Sequence, residues 1–362
     1  MSIIQAIILG IVQGLTEFIP ISSTAHLIFA SRAVGLYECA EQALRAEQTT
    51  ATIAVIQLGT LLAVFIYFAR DIWNISYAFI RDHLLWLRGQ RSEDALEMTM
   101  TGQRVPRLSQ EAWLGWLVII GSLPVAVVGL LLKKQIEGTF TKNLWVIATM
   151  MIVVALLLAV AEVVGKRKRG MESLGVKDAL AVGGAQVLAL IPGASRSGST
   201  IMGGLFAGET RETAARFSFL LSIPAIAASG LLELKEAAEK LPEGSYVALI
   251  VATIVSGVVG YASIWFLLRF LRTHSTAVFI VYRVVVGALI LGLLFGGYVK
   301  ALDDTEAAPA QKPSAPSSAP VAQPGPLPGS VATNNNLADS VNLSRPTSRT
   351  KRGSSNRKSK GR

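Results

Sequence analysis

Two short polar stretches interrupt otherwise apolar parts of this sequence, and the first of them, EFIPISSTAH, begins at Glu17. Gln13 and Glu17 are four residues apart, so they share one face of a helix that Pro20 must end. Ser23 and His26 are three residues apart and share a face of the helix that follows. We expect Glu17, Ser23 and His26 to converge around one turn, where a carboxylate, a hydroxyl and an imidazole suit nucleophilic or acid–base chemistry.

The second polar stretch, LIPGASRSGSTIMGG, has the features of an anion-binding loop. Its Pro-Gly pair is expected to end one helix, and Gly193 is predicted to let the backbone approach a bound phosphate closely. A helix that begins near Ser197 would then present free N–H groups and a positive dipole end. Arg196 can grip phosphate oxygens with both arms of its guanidinium group. Ser195, Ser197 and Thr200 surround Arg196 and complete a predicted phosphate site, although the loop lacks the GK[ST] signature of a Walker motif.

These residues also admit purely structural roles, which the sequence leaves open. Serine and threonine in membrane helices often serve packing or capping alone, and that explanation competes with function at Ser22, Thr24, Ser199 and Thr200. Glu17 and Arg196 can form a structural ion pair, and a lone histidine such as His26 near a membrane surface is usually structural. Because an ionisable group inside a membrane segment is costly to bury, we favour functional roles for these three residues.

The composition predicts an all-α polytopic membrane protein. The chain has 362 residues, of which 51% are hydrophobic and 16% charged, whereas soluble domains carry about a quarter charged residues. One cysteine and three scattered histidines predict neither a disulfide framework nor a zinc site. Six apolar runs approach the ~20 residues that a helix needs to cross a bilayer. They are 51–69, 113–132, 144–164, 216–232, 246–268 and 276–298.

Segments 3–30 and 179–207 are apolar but broken in the middle by proline and hydroxyl residues, which predicts two re-entrant helical hairpins. If each hairpin returns to its own side, the Lys/Arg-rich loops, which include RDIWNISYAFIRDHLLWLRGQR, GKRKRG and RFLRT, share one side. The positive-inside rule makes that side cytoplasmic and places the N-terminus and the first hairpin outside. A hairpin plus three spans occurs twice, so we expect inverted repeats at about 1–144 and 145–300, with a site where their broken helices meet.

The final segment, 301–362, is rich in Pro, Ser, Ala and Asn and holds nine Lys or Arg against four Asp or Glu. It has no apolar period, which predicts a disordered basic tail behind a membrane-embedded domain of residues 1–300. Its end, KRGSSNRKSKGR, could contact nucleic acid or anionic lipid. We expect a solvated tail instead, with no nucleic-acid partner and little role in the core activity.

At its two polar stretches the sequence resembles the undecaprenyl-diphosphate phosphatase family, also called bacitracin-resistance proteins, and the resemblance covers about residues 1–300. QGLTEFIPISSTAH is similar to the family's (E/Q)xxxE segment followed by Pro-x-Ser-Ser-Thr-x-His, and PGASRSGST matches PGxSRSxxT. Two positions depart from the usual pattern, because Gln13 stands where many members have glutamate and Ala25 where glycine is usual. The resemblance implies functional roles for Gln13, Glu17, Ser23, His26, Ser195, Arg196, Ser197 and Thr200.

The resemblance implies an inner-membrane enzyme with a periplasmic site that hydrolyses a C55 polyprenyl diphosphate to the lipid monophosphate and phosphate. Such an enzyme recycles the carrier of peptidoglycan synthesis and confers bacitracin resistance. A divalent cation, Mg²⁺ or Ca²⁺, is compatible with Glu17, but Gln13 leaves the pair one carboxylate short. The sequence is also compatible with a homodimer. The rival class is a transporter that flips the lipid monophosphate, since inverted repeats with broken helices suit transport as well.

Two mechanisms remain open at this point. In the first, Ser23 attacks the terminal phosphorus, His26 activates Ser23, and Glu17 orients His26 or holds a metal ion. In the second, water attacks, with Glu17 or His26 as the general base. In both, Arg196 and the N–H groups around it stabilise the charge on the phosphoryl oxygens, which is the main task in phosphoryl transfer.

Overall fold

The computed structural model of the protein describes residues 1–37, 42–89, 108–132, 143–240, 246–299 and 301. These residues belong to one compact unit, Met1–Ala310, and a second unit, Gln311–Arg362, lies outside the described residues. The predicted tail at 301–362 therefore lies, apart from Ala301, outside the part of the chain that the structure describes.

The described chain is helical, as predicted, and it contains eleven α-helices and no named strand. Two single turns of 3₁₀ helix, Met171–Ser173 and Leu188–Leu190, flank the seventh α-helix. In chain order the α-helices are α1 Ile3–Phe18, α2 Ser23–Ala33, α3 Gln42–Tyr67, α4 Ala69–Leu87, α5 Gln110–Leu131, α6 Leu144–Val164, α7 Val176–Val187, α8 Arg196–Phe206, α9 Arg211–Lys240, α10 Tyr246–Thr273 and α11 Ala277–Phe295.

Five helices are long and apolar enough to cross a membrane, and each contains most of one predicted span. They are α3 from Gln48, α5, α6, α10 and α11. The sixth predicted span, 216–232, falls inside α9, which is not among these five. The prediction of a polytopic helical membrane protein is therefore confirmed.

The predicted hairpins form two helix–turn–helix units. In the first unit, α1 ends at Phe18, α2 begins at Ser23, and the two helices pack against each other. In the second unit, α7 and its 3₁₀ extension end at Leu190, and α8 begins at Arg196 and packs against α7. Both breaks coincide with the polar stretches, so the sequence placed the interruptions correctly.

The stretch RDIWNISYAFIRDHLLWLRGQR is largely helical, and its assignment to a loop is wrong. It forms most of α4, whose carboxylate Asp82 is buried and accepts a hydrogen bond from the Ser109 N–H at 2.6 Å. Apolar residues recur on its exposed face with helical spacing, which is typical of a helix lying in a membrane interface. These residues are Trp73, Tyr77, Ile80, Leu84 and Leu87.

Small residues allow α1 and α3 to approach α10 closely, as is common between membrane helices. A Cβ atom added at Gly10 of α1 would lie 2.6 Å from the Ala252 carbonyl oxygen. A Cβ atom added at Gly59 of α3 would lie 2.1 Å from the Thr253 carbonyl oxygen. Since a backbone oxygen cannot move aside as a flexible side chain can, these glycines fix the distance between the helix axes.

We therefore predict that Gly59→Ala forces α3 and α10 apart and lowers the free energy of unfolding by about 1–3 kcal/mol, the usual range for overpacking. The matched control is Gly292→Ala on α11, where an added Cβ meets no atom within 4 Å. The control should be neutral or slightly stabilising, because alanine has the higher helix propensity. Thermal unfolding of the purified protein in detergent measures both. Equal melting temperatures for the two variants would contradict the close α3–α10 contact.

Candidate active site

The carboxylate of Glu17, at the end of α1, connects the two hairpins. Arg196 Nη2 donates to Glu17 Oε1 at 3.0 Å, and the Glu17 and Arg196 side chains are only 8% and 14% exposed. Ser23 Oγ donates to Glu17 Oε2 at 3.0 Å, and Gln13 Nε2 donates to the same oxygen at 3.2 Å. The structure therefore brings together four predicted site residues, and Arg196 comes from a point 179 residues away in the chain.

The turn at residues 19–22 places Ser23 beside Glu17. Pro20 lacks an N–H and cannot continue α1. Ser22 then reverses the chain with φ of 77°, outside the range that non-glycine residues normally adopt, and α2 begins at Ser23. The first residue of α2 thus faces back toward the last turn of α1, which is what the Ser23–Glu17 hydrogen bond requires.

The second turn presents Arg196 in a similar way. Ser195 has φ of 68° and caps α8, because its Oγ accepts a hydrogen bond from the Gly198 N–H at 3.2 Å. The helix begins at Arg196, one residue before the predicted start. A Cβ atom on Gly193, which has φ of 89°, would lie 2.1 Å from the Ile147 carbonyl oxygen of α6. Only glycine fits there, so Gly193 lets the turn press against α6.

Two buried polar atoms at the Glu17–Arg196 pair have no partner among the described residues. They are Arg196 Nη1 and Gln13 Oε1. A buried donor or acceptor without a hydrogen bond costs about 1–3 kcal/mol, and such groups in native proteins usually signal a function or a bound species. Arg196 Nη1 is a donor and suits the oxygen atoms of a ligand. Gln13 Oε1 is an acceptor and suits a cation associated with that ligand.

His26 is held away from the Ser23–Glu17 contact. Its Nδ1 lies 2.7 Å from the Ser22 carbonyl oxygen, which can only accept, so Nδ1 carries the proton in the neutral ring. Its Nε2 then accepts from the Tyr282 hydroxyl at 2.7 Å. Within the described ranges Ser23 and His26 share no hydrogen bond. The expected convergence of three residues therefore holds for Glu17 and Ser23, whereas the ring of His26 pairs with α11.

Ser197 and Thr200 point into the protein. Both are buried, and Ser197 Oγ lies 3.3 Å from Ser195 Oγ. Thr200 Oγ1 donates to the Arg196 carbonyl oxygen at 2.8 Å and also pairs with the Ser218 hydroxyl of α9. In this arrangement Thr200 ties α8 to α9, and its contact with phosphate stays a prediction, as does that of Ser197.

Few potential metal ligands lie near Glu17 among the described residues. Across the parts of the chain that the structure describes, no group of three His, Cys, Asp or Glu residues could hold a metal ion. The Glu17 carboxylate and the Gln13 side-chain amide supply oxygen atoms of the kind that bind such an ion. That set is still compatible with Mg²⁺, which often takes one carboxylate and completes its shell with substrate phosphates.

The sequence-based list of site residues missed two neighbours on α11, Tyr282 and Arg283. Tyr282 is the partner of His26 Nε2. Arg283 is fully buried, and its guanidinium contacts main-chain oxygens in both turns. A charge within the apolar run AVFIVYRVVVGALILGLLF is unusual enough to flag a functional residue, so the sequence did contain a signal for Arg283. Nothing in the sequence pairs Tyr282 with a histidine 256 residues away.

Comparison with known proteins identifies the family of the chain. The family model described as bacitracin resistance protein BacA matches residues 6–289. A protein of Syntrophobacter fumaroxidans is 52% identical over 295 residues, which cover 82% of this chain and 98% of that protein. One of Mycolicibacterium vanbaalenii is 45% identical and covers 83% and 100%, and one of Myxococcus xanthus is 45% identical and covers 84% and 94%. All three are named undecaprenyl-diphosphatase. The chain belongs to the bacitracin resistance protein BacA family.

Proposed function

We propose that this protein hydrolyses undecaprenyl diphosphate to undecaprenyl phosphate and inorganic phosphate within the membrane. The observation that carries the proposal is the Glu17 carboxylate, which accepts a hydrogen bond from the Ser23 hydroxyl and is paired with Arg196. The proposed base, Glu17, thus contacts both the proposed nucleophile, Ser23, and the guanidinium group of Arg196, which would bind phosphate. The relatives align with nearly the whole membrane domain of this chain, and their names support the same activity.

Binding of the diphosphate begins at Arg196. Its Nη1 is buried without a partner among the described residues, and phosphate oxygens would satisfy it together with Nη2 in a bidentate contact. Because Arg196 is also the first residue of α8, the positive end of the α8 dipole faces the same oxygens. The substrate then competes with Glu17 for the guanidinium group.

That competition activates the nucleophile. When the diphosphate takes Arg196 away from Glu17, the carboxylate loses its partner at Oε1 and keeps the hydrogen bond from Ser23 at Oε2. Ser23 Oγ then bonds to the terminal phosphorus, the bond from that phosphorus to the bridging oxygen breaks, and undecaprenyl phosphate leaves. The proton of Ser23 passes to Glu17 across their hydrogen bond of 3.0 Å.

Hydrolysis of the phosphoserine completes the cycle. Water bonds to the phosphorus and the bond from that phosphorus to Ser23 Oγ breaks. The two protons of the water stay on the released phosphate, while Glu17 returns its proton to Ser23 Oγ. The alternative is direct attack by water, with Glu17 or His26 as the base. For His26 to act, Nε2 would have to leave Tyr282, so the geometry favours Glu17 as the base in either route.

We further propose that a divalent cation, Mg²⁺ or Ca²⁺, binds between Glu17 and Gln13. Gln13 Oε1 is buried and has no partner within the described residues, and carboxylate and amide oxygens are the ligands that such cations prefer. The cation would neutralise part of the diphosphate charge. Without the cation, Gln13 Nε2 donates to Glu17 Oε2 at 3.2 Å. To bind the cation, the amide would turn its oxygen toward the carboxylate.

The pattern of helix contacts supports two inverted repeats, which we propose as the origin of the fold. Helix α1 of the first half packs on α10 of the second half, and α7 of the second half packs on α5 of the first half. The contact of α3 with α10 corresponds in the same way to the contact of α9 with α5. Helix α3 also packs on α9, and α6 packs on α11. This is the exchange that a twofold relation between the halves would produce. Two hairpins that enter from opposite sides would then meet at Glu17 and Arg196.

We place the protein in the bacterial inner membrane with its site open to the periplasm, because the Lys/Arg-rich loops mark the other side as cytoplasmic. There it would recycle the lipid carrier of peptidoglycan synthesis, which is the physiological basis of bacitracin resistance in this family. A lipid monophosphate flippase is the alternative function, favoured by the same opposed hairpins. Catalytic release of phosphate by purified protein distinguishes the two functions.

The first prediction is that wild-type protein in detergent releases phosphate from undecaprenyl diphosphate and that Arg196→Lys does so at least ~100-fold more slowly. Lysine keeps the charge but loses the planar fork, and removal of one such donor has effects of this order. Arg216→Lys on α9, whose arginine pairs with Asp71 in a half-exposed contact, is the matched control and should stay near wild type. Near-normal turnover by Arg196→Lys would refute the proposed phosphate contact.

The second prediction is that Ser23→Ala and Glu17→Gln each lower kcat by about 10²–10⁴-fold, the usual range for acid–base catalysis. The double variant should be little slower than the worse single variant, since members of one catalytic unit are not additive. Acid quench of the wild type with substrate labelled at the terminal phosphate should trap a phosphoprotein that Ser23→Ala lacks. Ser263→Ala, which removes only a helix-internal bond to Val259, is the control. Substantial hydrolysis by Ser23→Ala would favour direct attack by water.

The third prediction concerns orientation in the membrane. An impermeant thiol reagent added to spheroplasts should label native Cys39, because it follows in sequence the first hairpin, which the charge pattern places outside. It should not label Lys168→Cys in a Cys39→Ser background, although Lys168 is exposed on its loop. Lysis of the spheroplasts should make the second thiol reactive. Labelling of position 168 from outside would reverse the orientation and the side assigned to the site.

A further inference from the structure

Arg283 of α11 lies between the two turns that carry the site. Its Nη2 donates to the Gly193 and Ala194 carbonyl oxygens at 3.0 and 2.9 Å. Its Nη1 donates to the Pro20 carbonyl oxygen at 3.4 Å. One guanidinium group therefore binds the main chain of both interruptions, although it touches neither Ser23 nor Arg196 in the described structure.

The remaining contacts of Arg283 anchor it to α6. Nε donates to the Met151 carbonyl oxygen at 3.1 Å, and Nη2 reaches the Met150 carbonyl oxygen at 3.4 Å. The residue is fully buried, and no carboxylate within the described ranges forms a salt bridge with it. A buried charge without a counter-ion is costly, and here carbonyl dipoles take the place of the counter-ion. A residue that served only packing could be apolar at lower cost.

The two turns need such an anchor because each contains a non-glycine residue with positive φ. Ser22 has φ of 77° and Ser195 has φ of 68°, and strained residues of this kind persist only where the surroundings over-determine them. Arg283 binds the carbonyl of Ala194, which belongs to the peptide unit that carries the Ser195 nitrogen. By fixing the plane of that unit, it sets the direction from which α8 begins.

Arg283 also lies directly against the first turn of α8. A Cβ atom added at Gly198 would lie 2.9 Å from Arg283 Nη1. The guanidinium charge therefore lies next to Gly198, within the first turn of α8. Its potential adds to that of the α8 dipole where negative charge on a bound phosphoryl group would develop.

We propose that Arg283 is a positioning residue of the active site, which holds the turns at Pro20 and at Gly193–Ala194 so that Ser23 and Arg196 meet at Glu17. The proposal rests on the proposed phosphatase function. In this proposal α11 aligns the two hairpins, although it carries none of the residues in the two sequence motifs. The role needs both the charge and the forked geometry of arginine, because carbonyl oxygens in two separate turns must be bound at once.

The test compares kcat of Arg283→Lys with the wild type, per folded protein as measured by size-exclusion chromatography and thermal unfolding. Lysine keeps the charge but reaches only one turn at a time, so we expect kcat to fall by ~30–300-fold while KM changes less than ~5-fold. Arg269→Lys on α10, whose guanidinium lies over the Trp265 ring, is the matched control. A merely structural role would lower the yield or the melting temperature and leave kcat of the folded fraction unchanged, which would overturn the proposal.

A second comparison tests whether Arg283 acts through the strained turns. Ser22→Gly keeps the carbonyl that binds His26 but adopts positive φ without strain, so the first turn depends less on its anchor. The fall in kcat caused by Arg283→Lys should therefore be at least ~5-fold smaller in the Ser22→Gly background than in the wild type. Ser263→Gly is the control background. An equal fall in all three backgrounds would contradict the proposal, whereas absence of phosphate release from the wild type would refute the phosphatase function itself.

Discussion

The ion pair between Glu17 and Arg196 is the interaction on which the rest of the site depends. It joins the end of α1 to the start of α8 and is almost fully buried. Buried ion pairs seldom add much net stability, because desolvation of both charges offsets their attraction. In the proposed mechanism the pair is the resting state of the site, and the diphosphate replaces the carboxylate as the partner of the guanidinium group.

The two hairpins use the same backbone conformation to begin a new helix after a break. An unbroken helix satisfies its own N–H groups and has no polar end in mid-membrane. A break at Pro20 or Gly193 creates a new helix start, and a serine with positive φ precedes each one. Ser195 uses its hydroxyl to cap α8, whereas Ser22 makes no side-chain cap. The asymmetry agrees with their proposed tasks, because the first turn presents a nucleophile and the second an anion cradle.

Local spacing explains how much of this the sequence could predict. The four-residue interval from Gln13 to Glu17, the breaks in both hairpins and five of the spans follow from helical periodicity and apolar length, and the structure has them. The periodicity of α4 was also present, but its charged residues concealed an amphipathic helix. Contacts across 256 or 263 residues, such as His26 with Tyr282 or Arg283 with Pro20, leave no local trace. Pairing Ser23 with His26 from proximity alone therefore missed the actual partner of each.

A lipid substrate gives a reason for building the site from hairpins rather than from surface loops. The outer face of α1 carries exposed apolar residues with helical spacing, among them Ile4, Ile8, Ile11 and Leu15, which lead toward Glu17. A polyprenyl chain that lies along this face would remain in hydrocarbon while its diphosphate reaches Arg196. The headgroup brings several negative charges, and in the proposed mechanism it contacts Arg196, while Arg283 stays buried against the main chain of the two turns. The two guanidinium groups outnumber the single carboxylate of Glu17, so the net charge at the hairpin tips is positive and favours an anionic headgroup.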